Sequence, residues 1–210
     1  MGSAVPLRVW LRSILIRGRG IVLKGRRGGR GSAPASLPLT TMDVEDAIRG
    51  RRTHKVFAPD PIPRAALDDL FELARWAPNH HLTNPWRFRV VGPLALASLK
   101  QAAGPEAASK LDRAPTLVAA TVVRSEDPVQ SQEDLCATAC AIYAVLLSAE
   151  GRGLAGYWRT PEVLRTPEGL KALGIPPSEQ FVGLLHLGWP RQVKQPPPRL
   201  PAADVVAYLV

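Results

Sequence analysis

The sequence predicts one domain of interleaved helices and strands, carried by residues 42–210 and preceded by a basic arm. Three observations lead there. The chain has 210 residues, 46% of them apolar, enough for a single core. Apolar residues recur at helical spacing in some stretches and in β-rich or alternating runs in others. The formal net charge of +9 is also unevenly placed: residues 1–41 hold eight Lys and Arg and no acid, so nine minus eight leaves about +1 for the remainder. A nearly neutral domain gives no support for nucleic-acid binding by the folded part.

Residues 1–41 read as a disordered extension. Gly25 to Ser36 is Gly, Arg, Ser, Ala and Pro, which cannot bury enough apolar surface to fold. Such an arm is open to three readings: an organellar transit peptide, a nucleic-acid-binding tail, or a stretch outside the mature protein with Met42 as its start. The last is favoured because Met42 directly precedes the first helix signal, and Arg8 and Arg12 interrupt any secretory apolar run.

From Asp43 the elements follow in order. Asp43 can cap a short helix, Val44 to Gly50. Pro63 suits the first turn of a second helix, Arg64 to Trp76, with Leu67, Leu70, Phe71 and Ala74 on one face. Trp76 to Phe88 is a corner: Pro78 stops the helix, Asn79, Thr83 and Asn84 form turns, and Trp86 to Val91 alternates like a half-buried strand. Two histidines and two tryptophans there fit a recognition surface or a packed corner equally well. Pro93 to Ala103 is a third helix with Leu96 and Leu99 inward. Thr116 to Val123 is the candidate central strand, and Gln130 to Glu150 the buried backbone helix. Ala155 to Trp158 and Phe181 to Leu187 are further strands, with short helices near Glu162–Leu164 and Glu168–Leu173. Pro196 to Pro198 is an extended linker, and Asp204 to Val210 an apolar tail that wants a partner surface.

Cys136 and Cys140 share one helix face within an apolar run, neither a redox pair nor a zinc pattern, so core packing is expected of them. Leu135 to Ala149 falls short of the ~20 residues that span a bilayer. A soluble protein of a reducing compartment, cytoplasmic and without membrane contact, is expected. His80-His81 lacks companion ligands, so no metal is expected.

Several motifs bear on chemistry. Gly151-x-Gly153-x-x-Gly156 matches a dinucleotide fingerprint in letters but follows a helix and precedes a strand, the reverse of what that fold needs; its glycines are expected to end the helix. Arg51-Arg52-Thr53 places two guanidinium groups and a hydroxyl after a helix, which suits a phosphate or a solvated face. Gly156-Tyr157-Trp158-Arg159-Thr160 offers close backbone approach, flat rings, a cation and a hydroxyl. No nucleophile-elbow motif appears.

Together and in order, R-R-T at 51–53, A-P-N-H-H-L-T-N-P-W-R-F at 77–88, G-L-A-G-Y-W-R-T at 153–160 and V-G-L-L-H-L-G-W-P at 182–190 resemble the nitroreductase family of flavoproteins, in its short single-domain form. The resemblance covers Met42 to Val210. It implies an α+β fold, a mixed and mostly antiparallel central sheet flanked by helices, in an intertwined homodimer whose C-terminal tails reach across. It implies FMN as cofactor, NADH or NADPH as reductant, and two-step hydride transfer through the flavin to a nitroaromatic, quinone or similar small-molecule acceptor.

Carried over by position, Arg51, Arg52 and Thr53 would contact the FMN phosphate and ribityl chain. Trp76 and His80 would approach the flavin from the second subunit, and Trp158, Arg159 and Thr160 would line the same cofactor. Ser148 and Gly153 match positions assigned to the nicotinamide nucleotide, and Arg191 or Lys194 would add a phosphate contact. Thr53 stands where serine is usual, and some relatives carry a basic residue in place of Trp76. No catalytic acid or base is implied, since positioning and charge carry the work. The rivals are a flavin-binding protein without turnover, or a nucleic-acid binder working through its arm.

Overall fold

In the computed structural model, which describes residues 42–209, the strand β2 (Thr116–Val123) and the helix α4 (Pro128–Gly151) form the centre. The expected arm, residues 1–41, lies outside the described residues. Strand β2 pairs antiparallel with β1 (Trp86–Val90) on one side and with β4 (Glu179–Gly188) on the other. Strand β4 in turn pairs antiparallel with β3 (Ala155–Arg159), giving the order β1-β2-β4-β3. Among the described residues the parallel component is one bridge, Thr53 to Gly156, on the outer side of β3.

The apolar run of β2 is buried on both faces, as a central strand requires. Val118 and Ala120 point to one core with Trp86, Leu185 and Leu187, closed by α2 (Arg64–Ala74) and α4. Leu117 and Ala119 point to a second core with Leu184 and Ala155. That core is closed by α3 (Pro93–Ala108), the turn Glu162–Arg165 and the residues around α5 (Pro167–Ala172). The sheet therefore lies between two helical layers, an α+β arrangement. Helix α4 is long and apolar enough by composition to cross a membrane, but its apolar residues pack on α2 and the sheet.

Local signals explain the ends. Asp43 Oδ1 accepts from Glu45 N at 2.7 Å and starts α1 (Val44–Gly50). Asp127 does the same for α4. Gly153 takes φ +71°, with its N–H on Glu150 O and Leu154 N–H on Ala149 O, both 2.9 Å. That is the left-handed stop in which only glycine is unstrained, so the glycine triplet ends the helix, as expected.

Three details differ from the sequence reading. Helix α3 continues past Ala103 but breaks at Gly104, whose φ of +73° accommodates the restriction that Pro105 places on its predecessor. Strand β4 starts two residues before Phe181, because Glu179 is drawn in by Arg89 and Thr121. Cys136 and Cys140 are both exposed, contrary to the core packing expected of them. Helix α4 is apolar all round, and its inner face is taken by Ala137, Ala141, Val145 and Ala149.

Candidate functional site

The sequence-selected residues collect in three places. Two of these are the ends of α4. The third is the exit of β3.

At the C-terminal end of α4, the extended segment after α1 crosses the sheet edge. Thr53 bridges to Gly156, and His54 N donates to Gly156 O at 3.1 Å. A Cβ on Gly156 would lie 2.5 Å from Leu146 Cδ2, so a side chain there would push into α4. This contact fixes Arg51 and Arg52 beside the last turn of α4. Arg51 lies 5.9 Å above the Tyr143 ring, and Arg52 Nη1 donates to Arg51 O at 2.7 Å. Arg152 Nη1 donates to Ser148 Oγ, which places Ser148 and Gly153 in the same corner. Lys194 reaches back from the segment after β4, and its Nζ donates to Thr53 O at 2.6 Å. Of the two cations expected near the C-terminus, Lys194 is the one that arrives; Arg191 lines a different hollow with Asp112 and Arg113.

The electrostatics are lopsided. Arg51 and Arg52 act on one carboxylate, Glu150, which borders a cavity with Arg52 and Lys194. Burial pushes the Glu150 carboxyl above its usual range, against the opposing pull of Arg51 and Arg52. The Nε atoms of Arg51, Arg52 and Arg152 are buried without an acceptor in the protein. Buried donors of that kind ordinarily find a partner. Their number and charge fit an anion with several acceptor oxygens.

At the N-terminal end of α4 stands His80, in the loop that Trp76 opens after α2. The loop between α2 and β1 is unusual in its backbone: His81, Leu82 and Asn84 all have positive φ, at 52°, 52° and 45°. The chain itself holds that conformation. Asn84 N donates to Asn79 Oδ1 at 2.9 Å, and Thr83 Oγ1 donates to the buried carboxylate of Asp134 at 2.6 Å. His80 Nδ1 pairs with Glu133 Oε2 at 2.8 Å, and its ring stacks on His81 at 3.8 Å. Trp76 is 76% exposed, with Arg75 5.7 Å from its ring. From Glu133, the partner of His80, to Tyr143, beneath Arg51, is ten steps along α4, about 15 Å at ~1.5 Å per residue. One subunit therefore does not bring His80 and Arg51 together.

At the exit of β3, side-chain alternation separates neighbours. Trp158 faces the α4 side, packed over Gly183, and its Nε1 donates to Val182 O at 3.3 Å. Arg159 pairs across β4 with Leu184 and lies on the opposite face, with one buried guanidinium nitrogen unpartnered. It borders a hollow of about 380 Å³ with Lys110, Glu162 and Thr166. Thr160 is exposed and accepts from Arg165 Nη2 at 3.3 Å. Beneath Arg159 lies His186, fully buried, with both ring nitrogens unpartnered and its ring 5.5 Å from Tyr157. Burial first, then Arg159 and Arg113, lower its pKa to about 4.

His54, Glu150 and Arg152 complete the first cluster and were not singled out by any motif. His54 adjoins the arginine pair in sequence, which was the available signal. Glu150 and Arg152 become neighbours of that pair only through tertiary packing.

The chain matches the Nitroreductase family over residues 48–189. It is 27% identical over 177 residues to YfhC of Bacillus subtilis strain 168, provisionally named an NAD(P)H nitroreductase, covering 77% of this chain and 91% of that protein. Its fold superimposes on a nitroreductase-like family protein from Bacillus cereus with a TM-score of 0.74 at 21% identity, covering 81% of this chain and 97% of that one. It also superimposes on NfnB of a Sphigopyxis strain, described as FMN- and NADPH-dependent, with a TM-score of 0.69 at 17% identity, covering 80% and 100%. The order of the strands, the helical layers on either face of the sheet and the family match agree: the chain belongs to the nitroreductase family.

Proposed function

We propose that the cation cluster at the C-terminal end of α4 holds the phosphate of FMN, and that the protein uses NADH or NADPH to reduce nitroaromatic, quinone or similar small acceptors. Membership of the family makes the chain an NAD(P)H-dependent oxidoreductase with FMN as cofactor. The observation that carries the site assignment is the set of buried arginine donors without acceptors, gathered beside Lys194 and a single carboxylate.

In this reading Arg51 and Arg52 bind the phosphate, and Thr53 orients the ribityl chain. Arginine suits the first task because its planar donors meet phosphate oxygens in pairs. Arg159 would act on the cofactor through its charge and Thr160 through its hydroxyl, while Trp158, on the other face of the sheet, would act only through its packing on Gly183. Ser148, held by Arg152, and Gly153 border the place for the nicotinamide nucleotide. Bound FMN carries electrons from the nicotinamide to the acceptor. The protein's part is to bind, orient and exclude water.

A homodimer completes the site. His80 is held at Glu133, ~15 Å along α4 from Tyr143 beneath Arg51, so His80 and Trp76, which opens the same loop, serve the cofactor of a second copy. The surface supports this. Val44, Leu73, Ala144 and Leu147 line an apolar groove of about 390 Å³ between α1, α2 and α4. Val193, Leu200, Val205, Tyr208 and Leu209 of the tail are likewise 71–95% exposed on the single chain. Contiguous apolar surface of that kind marks an interface. Location in the cytoplasm and a folded domain beginning at Met42 belong to the same proposal.

The test is spectral. Purified protein should be yellow, should bleach under NADH or NADPH, and should recover colour when a quinone or nitroarene is added. Folded protein that neither retains nor binds FMN would refute the assignment.

A further inference from the structure

His54 is only 8% exposed, yet its Nδ1 has no partner within the protein. Its backbone is pinned by the 3.1 Å bond from His54 N to Gly156 O, so the side chain has a fixed point of origin. It borders a cavity of about 210 Å³ together with Arg52, Glu150, Gly153, Gln192 and Lys194. A buried imidazole nitrogen left unsatisfied is destabilising. An occupant of the cavity that accepts a hydrogen bond would recover that cost.

The charged groups around it determine its state. Arg51 and Arg52 precede it on the same segment, Lys194 comes from the chain after β4, and Glu150 from the end of α4. Burial, then the Lys194 ammonium, hold its pKa below the ordinary histidine value, so these groups alone keep the ring neutral at neutral pH. A phosphate placed between Arg52 and Lys194 would offset that repulsion and stabilise the imidazolium. Binding an anion and binding a proton are then linked, each strengthening the other.

We propose that His54 is a further member of the phosphate cradle and takes up a proton when the phosphomonoester of FMN enters, so that a third cation joins Arg52 and Lys194. This rests on the assignment of the cluster to the FMN phosphate. It adds a residue and a proton to that assignment.

Calorimetric titration of the apo-protein with FMN at pH 7, in buffers of different ionisation heat, counts the protons taken up. Wild type should take up more than His54→Gln, by roughly half a proton or more. Between pH 8 and pH 6 the wild-type affinity for FMN should gain about tenfold over that of the variant, the self-titration of the phosphate being common to both. Riboflavin, which lacks the phosphate, should show no such difference. In Glu150→Gln the uptake should persist. Equal uptake in wild type and His54→Gln, or its loss in Glu150→Gln alone, would overturn the proposal while leaving the FMN site standing. Failure of the wild type to bind FMN would overturn both. If His54→Gln does not fold, NMR titration of the wild-type imidazoles with inorganic phosphate decides the matter. One buried ring should gain its proton at higher pH when phosphate is present, and an unmoved titration would refute the role.

Discussion

The two ends of α4 are built on opposite principles. At the N-terminal end the polar groups satisfy one another: Asp134 takes the Thr83 hydroxyl, Glu133 takes His80, and Asn79 takes Asn84. A loop with three positive-φ residues is held there by partners within the chain. At the C-terminal end the donors outnumber the acceptors, and the Nε atoms of three arginines are left over. The first end is a finished structure that presents a ring and an indole to something outside. The second leaves buried arginine donors that the proposed phosphate would take up. Changes at the first end should register in folding, and changes at the second in ligand affinity.

The largest effect expected lies in the sheet beneath both ends and must be separated from them. Burial lowers the pKa of His186 from the ordinary 6.5 to about 4. Below pH 6.5 the unfolded chain takes up this proton and the folded one does not. Stability is therefore full above pH 6.5 and falls as pH drops towards 4, by about 3 kcal/mol at ~1.4 kcal/mol per pKa unit. Denaturant unfolding at pH 7.5 and 4.5 should show the loss, and His186→Leu should flatten this part of the profile.

Next in size is Asp134→Ala. It leaves the Thr83 hydroxyl without its partner and should cost about 2 kcal/mol in the apo-protein, measured by urea unfolding. FMN should restore none of that specific loss. If Asp134→Ala proves as stable as wild type, the N-terminal end is not self-supporting. Smallest is Gly153→Ala, which forces a Cβ into φ +71° and should cost about 1 kcal/mol. An unchanged melting curve would show that the helix stop does not depend on that glycine.

Much of the fold was legible because its signals are local. Asp43, Pro63 and Gly153 mark helix ends by their own chemistry, and the apolar run of β2 announced a strand buried on both faces. The exposure of Cys136 and Cys140 was hidden because α4 is apolar around its whole circumference, so periodicity could not choose the inner face. The break at Gly104 needed attention to the proline that follows it. For the site, Arg51 and Arg52 stood out as a pair. The carboxylate that opposes them lies about a hundred residues later in the chain and meets them only because Thr53 bridges to Gly156. The sequence order of Trp158 and Arg159 likewise concealed that strand alternation sends them to opposite faces of the sheet.

The central claim is that Arg51, Arg52 and Lys194 hold a phosphate. Its most direct measurement is the affinity of the apo-protein for FMN against riboflavin, in wild type and in Arg51→Ala. Wild type should prefer FMN strongly. Arg51→Ala should lose about 1.5–3 kcal/mol of FMN binding, roughly 10- to 100-fold, with riboflavin binding almost unchanged. Equal affinity of wild type for the two flavins, or an undiminished FMN preference in Arg51→Ala, would contradict the account.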